Sequence, residues 1–302
     1  MPDYLALVGP TASGKSSLAQ ALAEEIGAEI VNADPFQAYR GFDIGTAKPG
    51  PEERARVPHH LVDILDPHEA FSAGEFGRRA AAALDDIRAR DRTALVVGGS
   101  GFYLEALWRG LAPIPPVPAA VRRSWRERLG AEGLGALFAE LERVDPATAA
   151  RLEPGDRQRV LRALEVESAS GRPLSHWLTL PRRPASQLVP RKVGLTLPRT
   201  LLYDRIRARM GRMVEEGWVE EVESLLAGGA DPSQPAFRAI GYRAVAGVVR
   251  GETDLTSALA AVERDTRRYA KRQRTWFRRE TDVRWLGAAD ARPSDLRALL
   301  EE

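Results

Sequence analysis

The chain has 302 residues, of which 44% are hydrophobic and 28% are charged, and it contains no cysteine. This composition is typical of a globular protein with a sizeable core, and it excludes a disulfide scaffold, a thiolate nucleophile and a cysteine-ligated zinc site. The sequence offers neither a long apolar run nor a secretory leader, so we expect a cytoplasmic protein without a membrane span. Net charge is only +2, but the pI is about 9.0 and the basic residues are mostly arginine, which favours phosphate contacts.

An apolar run at residues 4–8 predicts a first β-strand, and it leads into the glycine-rich segment GPTASGKS. This segment has the spacing of a phosphate-binding loop, and a helix is predicted after it over residues 15–26. Loop N–H groups and the positive end of the helix would bind phosphate, while the Ser16 hydroxyl would face Mg²⁺. The loop alone leaves the phosphate compound open. The predicted phosphate-binding residues are Gly9, Pro10, Thr11, Ala12, Ser13, Gly14, Lys15 and Ser16.

Two further predicted strands end in segments that suit a ligand site. Residues 29–33 form one and end at Asp34, and the run TALVVGG forms the other and ends before Ser100. Between them, residues 72–90 predict a helix that Ser72 would cap. Strands alternating with helices predict a parallel sheet whose ligands bind beyond the strands' carboxyl ends. We therefore expect the phosphate loop, Asp34 and Ser100 to converge, with Asp34 able to accept a proton from a nucleophile.

The pattern changes at the proline-rich segment PIPPVP, residues 113–118, which cannot continue a helix or a central strand. The following residues, to about 180, are charged and predicted to be helical. A second proline-rich stretch ends at Pro190, and KVGLTL then returns to the sheet. We predict an α/β core formed by residues 1–112 and 191–302, with a helical insertion at 113–190.

Eight basic residues and a single acidic one lie between positions 264 and 279. Several of the basic residues recur at helical spacing, and Tyr269, Trp276 and Phe277 are interleaved with them. A solvent-exposed charged helix would account for the basic residues by themselves. The density of arginines and the interleaved aromatic residues instead favour a surface that binds RNA. The four histidines show no metal-ligand spacing.

Seven segments resemble, in the same order, those of the bacterial tRNA dimethylallyltransferases, also called isopentenyl-tRNA transferases. They read GPTASGKS, ADPFQAYRGFDIGTAKP, PHHLVDI, VVGGSGFY, DRQRVLRALEV, FRAIGYR and TRRYAKRQRTWFR. The resemblance implies a P-loop NTPase-like α/β core, with helices flanking a parallel sheet, and an all-helical insertion that grips the tRNA anticodon stem-loop. It also suggests a monomer.

The resemblance further implies an activity. A dimethylallyl group would pass from dimethylallyl diphosphate to N6 of the adenosine 3′ of the anticodon, in tRNAs that read codons beginning with U. Diphosphate would be released, Mg²⁺ would be the cofactor, and no ATP would be consumed. The phosphate loop would then hold the diphosphate of the prenyl donor.

Residue roles also follow from the resemblance. Asp34 aligns with the general base and Ser100 with a threonine that contacts the target nucleotide, while Arg209 joins Lys15 at the diphosphate. Pro35 replaces the usual serine, which removes a hydroxyl and a backbone donor. The tRNA-contact positions of the family map onto Asp34, Pro35, Phe36, Gln37, Ser100, Arg122, Gln158, Arg159, Val160, Leu161, Arg162, Arg238, Ala239, Ile240, Gly241, Tyr242, Arg243, Lys271, Arg272, Gln273, Arg274, Thr275, Trp276, Phe277 and Arg278.

Three alternatives stay open at this point. An adenylate dimethylallyltransferase would need the same loop and Asp34, but not the basic segment at 264–279. A P-loop small-molecule kinase would consume ATP and would want an acidic Mg²⁺ ligand after an apolar strand, for which Asp63 is a weak candidate. A non-catalytic RNA-binding protein would keep its function after Asp34→Ala.

Overall fold

The computed structural model describes residues 2–302, in which six parallel β-strands form one sheet. In chain order the strands are β1 (Tyr4–Val8), β2 (Glu29–Asn32), β3 (His59–His60), β4 (Ala94–Gly98), β5 (Pro190–Thr196) and β6 (Val283–Gly287). Their order across the sheet is β3-β2-β4-β1-β5-β6, and every neighbouring pair is parallel. The carboxyl ends of β1, β2 and β4 therefore lie side by side, as predicted.

Helices account for most of the remaining chain. Those before the insertion are α1 (Lys15–Ile26), α2 (Pro51–Arg56), α3 (Ala73–Ala89) and α4 (Gly101–Trp108). The insertion contains α5 (Ala119–Val144), α6 (Pro146–Ala149), α7 (Arg157–Ser170) and α8 (Leu174–Thr179). After it come α9 (Arg199–Glu215), α10 (Trp218–Ala227), α11 (Tyr242–Val249), α12 (Leu255–Phe277) and α13 (Pro293–Glu301).

Two compact units divide the chain. One comprises the residues up to Trp108 together with Ala185–Glu302, and the other is Arg109–Pro184. The second unit has its own apolar core, in which Trp125, Leu137 and Leu164 pack together. It begins and ends slightly before the positions 113 and 190 predicted from the prolines. The proline-rich segment lies inside this unit, and Pro190 already belongs to β5.

Local sequence signals explain why the core elements form where they do. β1 and β4 are buried along their whole length, which fits their unbroken apolar runs. The predicted first strand and the helix over residues 15–26 match β1 and α1. Ser72 caps α3 as predicted, because its Oγ accepts a hydrogen bond of 3.1 Å from the Glu75 N–H.

The C-terminal strand and helix were not predicted. In β6 only Val283 is buried, whereas Arg284 and Trp285 are exposed. This edge strand therefore lacks the apolar run by which a strand is predicted. Helix α13 packs Leu296 and Leu299 into the core on the α1 side of the sheet. No helix within residues 2–302 combines the length and apolar character needed to cross a membrane.

Candidate active site

The phosphate loop turns sharply between β1 and α1. Gly9 and Gly14 have φ values of 142° and 94°, which favour glycine, and Ala12 has a φ of 63°. A side chain at Gly9 would also place its Cβ 2.8 Å from the Leu195 carbonyl oxygen in β5. The two loop glycines therefore meet a steric requirement, and the loop leads directly into the N-terminus of α1.

Lys15 lies at the start of α1 and is almost completely buried. Its ammonium group donates a 2.8 Å hydrogen bond to the Pro10 carbonyl within the loop. Burial, together with the nearby positive charge of Arg209, lowers the pKa of Lys15 to about 7. An anion bound at the loop would therefore offset the cost of burying the positive charge of Lys15.

Asp34 follows β2 and is held by hydrogen bonds at both its backbone and its side chain. The Asn32 side chain accepts from the Asp34 N–H at 3.0 Å and donates to the Asp34 carbonyl at 2.9 Å. Asp34 Oδ1 accepts a 3.0 Å hydrogen bond from the Phe36 N–H. Pro35 is buried and lies inside this turn, so the missing donor at position 35 does not leave the carboxylate unsupported.

Burial raises the pKa of Asp34 above its ordinary value, while the Phe36 N–H, Arg209 and Lys15 act in the opposite direction. A carboxylate with a raised pKa is a better proton acceptor than an exposed one. Asp34 also lines the same cavity as the phosphate loop. The convergence of Asp34 with the loop, expected from the strand order, is present in the structure.

Three arginines of α9 also line the cavity: Arg205, Arg209 and Arg212. Arg209 donates to Thr11 Oγ1 at 3.3 Å and to the Thr46 carbonyl at 3.4 Å. Arg205 donates to the Ser13 carbonyl at 3.4 Å. Sequence reasoning found only Arg209, although the spacing of the three arginines at i, i+4 and i+7 would have placed them on one helical face.

The second glycine motif packs against α12. Ser100 Oγ lies 3.3 Å from the Tyr269 hydroxyl, at the start of α4. Burial, reinforced by the Asp34 carboxylate, raises the pKa of Tyr269 to about 12, so the phenol stays protonated. Gln273, one turn later, accepts from the Thr11 N–H at 2.8 Å and donates to the Gly99 carbonyl at 3.0 Å. This glutamine joins the two glycine motifs, which its sequence position did not indicate.

Two adjacent cavities occupy this region of the core unit. The larger has a volume of about 800 Å³ and is lined by Lys15, Ser16 and Asp34 together with the α9 arginines. The smaller, of about 230 Å³, has a more apolar wall that includes Trp218 and Ile240. Asp34 and Arg209 line both cavities, as do Thr11 and Tyr269. A charged phosphate site and an apolar site therefore meet at Asp34.

The predicted Mg²⁺ would not find a complete set of ligands among the protein side chains. Within residues 2–302, no group of three or more His, Cys, Asp or Glu side chains is placed to hold a metal ion by itself. Ser16 is exposed in the first turn of α1 and faces the larger cavity. Mg²⁺ commonly keeps waters and takes substrate phosphate oxygens as ligands. If Mg²⁺ is bound together with a diphosphate, Ser16 would be available as a protein ligand.

Asp63, the weak candidate for an acidic Mg²⁺ ligand, is already engaged elsewhere. Its carboxylate accepts hydrogen bonds of 2.6 Å from both Lys48 and Arg54. It follows the two-residue strand β3 and does not line either cavity. This geometry removes Asp63 as a candidate for the acidic Mg²⁺ ligand of a P-loop kinase.

Many residues predicted to contact RNA have accessible side chains. Those that are exposed are Arg122, Gln158, Arg159, Arg238, Arg243, Lys271, Arg272, Thr275 and Arg278. Those that are half-buried are Asp34, Phe36, Gln37, Ser100, Arg162, Ile240, Gly241, Arg274 and Trp276. Lys271 of α12 and Arg278 just after it are exposed, whereas Arg272 is exposed but also lines the smaller cavity.

The other residues predicted to contact RNA have buried side chains, and their contact with RNA stays a prediction. They are Pro35, Val160, Leu161, Ala239, Tyr242, Gln273 and Phe277. The prediction used continuous segments, whereas helical periodicity turns some positions of each segment into the core. Val160 and Leu161 pack inside the insertion, and the buried Tyr242 hydroxyl donates to Glu221 at 2.6 Å.

Comparison with known proteins agrees with this geometry. The family model for IPP transferase matches residues 37–280. The tRNA dimethylallyltransferase of Magnetococcus marinus is 46% identical to this chain, over 97% of this chain and 98% of its own length. The corresponding protein of Phenylobacterium zucineum is 50% identical over 92% of this chain and 90% of its own length.

A solved structure gives the same result for the fold. The full-length tRNA isopentenylpyrophosphate transferase of Bacillus halodurans is 34% identical, with a TM-score of 0.71. The match covers 100% of this chain and 97% of that protein. The family match, the extent of these relationships and the convergence of three strand ends on one cavity all agree: the chain belongs to the IPP transferase family.

Proposed function

We propose that this protein transfers a dimethylallyl group from dimethylallyl diphosphate to N6 of the adenosine 3′ of the anticodon, in tRNAs that read codons beginning with U. The observation that carries the proposal is the larger cavity, in which Lys15 and Ser16 of the phosphate loop meet Arg209 and Asp34. The relatives of this chain that carry the name tRNA dimethylallyltransferase support the same reaction.

The reaction forms a bond between adenosine N6 and C1 of the prenyl group and breaks the bond from C1 to the diphosphate oxygen. The leaving diphosphate takes the electron pair of that bond. Lys15, Arg209 and the N–H groups at the start of α1 surround the larger cavity and would stabilise its developing charge. Mg²⁺, held by the diphosphate and Ser16, would neutralise part of the same charge.

N6 becomes positively charged as it attacks and must lose a proton. Asp34 lies on both cavities, so it can face the amine of an adenine placed between them. Its raised pKa suits it to accept this proton and later release it to solvent. The adenosine must leave its stack to reach the carboxylate, which requires base flipping.

The RNA part of the proposal depends on the basic residues. The exposed arginines of α12 and of the insertion supply charge that a free nucleotide would not require. An enzyme acting on AMP would need the phosphate loop and Asp34 only. We therefore place the acceptor in tRNA, and we expect the protein to act as a monomer in the cytoplasm.

The test is a transfer assay with Mg²⁺, dimethylallyl diphosphate carrying a radiolabel in the prenyl group, and unmodified tRNA, with AMP and ATP as parallel acceptors. We expect label at the adenosine beside the anticodon. Label in AMP or ATP alone would place the enzyme among free-nucleotide transferases. Absence of label from every acceptor, although the RNA still binds, would overturn catalysis.

A further inference from the structure

Gln273 belongs by position to the basic helix α12, but its side chain is only 5% exposed and lines the larger cavity. Its neighbours Arg272 and Arg274 are exposed and half-buried, respectively. The glutamine therefore lies on the face of α12 that packs on the core. It needs an explanation other than contact with RNA.

The contacts of Gln273 supply that explanation. Its carbonyl oxygen accepts from the Thr11 N–H at 2.8 Å, and its amide nitrogen donates to the Gly99 carbonyl at 3.0 Å. The first contact joins residues 262 positions apart in the sequence. The carbonyl oxygen and the NH₂ group of this one side-chain amide thus connect the phosphate loop to the glycine motif that follows β4.

The surroundings leave little freedom for any other arrangement. A Cβ on Gly99 would overlap the Gln273 amide nitrogen, so glycine is required for this approach. Thr11 is held from its other side by Arg209, which donates to Thr11 Oγ1 at 3.3 Å. Thr11 is therefore held by side chains from two different helices, with Gln273 of α12 at its peptide N–H and Arg209 of α9 at its hydroxyl.

We propose that Gln273 is a positioning residue for the phosphate loop: it fixes the Thr11 peptide so that the later loop amides face the diphosphate. The Thr11 N–H is already used by Gln273, so diphosphate would be bound by N–H groups further along the loop. The inference rests on the proposed use of this loop for dimethylallyl diphosphate. It assigns Gln273 a role in binding dimethylallyl diphosphate rather than RNA.

The experiment measures two affinities in the full-length protein: dimethylallyl diphosphate by calorimetry, and a tRNA anticodon stem-loop by fluorescence anisotropy. Gln273→Leu removes both hydrogen bonds at similar volume. We expect the dissociation constant for the donor to rise about tenfold, and that for RNA to change by less than about twofold. The unfolding temperature shows whether the variant keeps its fold.

Arg274→Gln is the matched control, because it changes the next residue of the same helix. It should weaken RNA binding and leave donor binding unchanged. Equal loss of RNA affinity in Gln273→Leu and Arg274→Gln would overturn the inference. So would unchanged donor affinity in a Gln273→Leu protein that folds normally.

Gly99→Ala probes the same contact from its other side and serves if Gln273→Leu does not fold. It should also weaken donor binding selectively, and the double variant should be no weaker than the worse single variant. Additive losses would show that the two residues act separately. Inorganic diphosphate is measured in parallel. If wild-type protein binds it but transfers no label, the proposed reaction fails while the role of Gln273 can still be measured.

Discussion

The protonation of Lys15 gives the site a pH dependence. Burial lowers its pKa to about 7 in the protein without ligand, so the side chain is largely neutral above that pH. A bound diphosphate would favour the charged form. Donor binding above pH 7 must therefore be accompanied by uptake of a proton.

We predict that the affinity for dimethylallyl diphosphate falls by up to about tenfold for each pH unit above 7. Calorimetry at pH 8, in buffers of different ionisation enthalpy, should show uptake of nearly one proton per donor bound. Lys15→Arg should abolish this uptake, because arginine stays charged. Binding without proton uptake by the wild-type protein at pH 8 would contradict the assigned state of Lys15.

Asp34→Asn should lower turnover by about 10²- to 10⁴-fold, because the amide cannot accept the N6 proton. Single-turnover transfer of label measures the effect, and RNA affinity should stay unchanged. Pro35→Ser is the neighbouring control: since the Phe36 N–H holds Asp34 Oδ1, turnover should change little. Normal turnover in Asp34→Asn would exclude the carboxylate as the base.

The residues that sequence reasoning found and those that it missed differ in one physical respect. Lys15 and Ser16 belong to a local loop whose spacing specifies its shape, and Asp34 follows a strand. Ser100, which was predicted to converge with them, lines neither cavity and lies 3.3 Å from the Tyr269 hydroxyl. Gln273 reaches partners far away in the sequence, and nothing in its local pattern points to them. Tertiary contacts of this kind depend on how helices pack, which a local pattern does not encode.

At the scale of elements, the segment between β2 and α2 is an irregular loop that lines the larger cavity. The Glu221 carboxylate of α10 accepts from the Asp43 N–H at 3.0 Å, the Ile44 N–H at 2.7 Å and the Tyr242 hydroxyl at 2.6 Å. The same loop presents the Thr46 carbonyl to Arg209. Glu221 thus holds part of the cavity wall in place.

Glu221→Ala should lower the free energy of unfolding by about 2–4 kcal/mol, because the variant leaves the buried Tyr242 hydroxyl and two backbone N–H groups without their acceptor. Urea denaturation measures the change. Glu223→Ala, an exposed position on the same helix, should change it by less than about 0.5 kcal/mol. Similar losses in the two variants would contradict the role of Glu221.

Element prediction succeeded where burial is complete and failed where it is partial. The fully buried strands β1 and β4 are predicted by their apolar runs. Helix α1 is predicted by the glycine loop that precedes it in the sequence. β6 is an edge strand with one buried residue, so its sequence resembles a loop. β3 consists of two half-buried histidines, which give no periodic signal.

For the whole molecule, the basic residues that we expect to contact RNA occur in both compact units. Arg122, Arg159 and Arg162 belong to the insertion, whereas Arg272 and Arg274 lie on α12 of the core unit. The charge density of the sequence pointed to the α12 group, whereas the insertion group was implied only by the family resemblance. Each group should add to RNA affinity through release of counterions.

Replacing either group by glutamine should weaken anticodon stem-loop binding and reduce the slope of log affinity against log salt by roughly one unit for each phosphate-contacting arginine removed. Donor affinity should not change in the insertion variant, whose arginines line neither cavity. The control pair is Arg284 and Arg297, whose ion pairs lie on another part of the core surface. An unchanged salt slope in the α12 variant would mean that this helix does not contact RNA.

The position of the insertion has a consequence for synthesis of the chain on the ribosome. β1 lies between β4 and β5, and β5 follows Arg109–Pro184 in the sequence. Translating that segment takes roughly 4 to 15 s at bacterial and eukaryotic elongation rates. Until then β1 carries an unpaired edge next to the phosphate loop, which can pair with other chains. A longer insertion would therefore prolong the aggregation-prone interval, while it would cost the finished protein little stability.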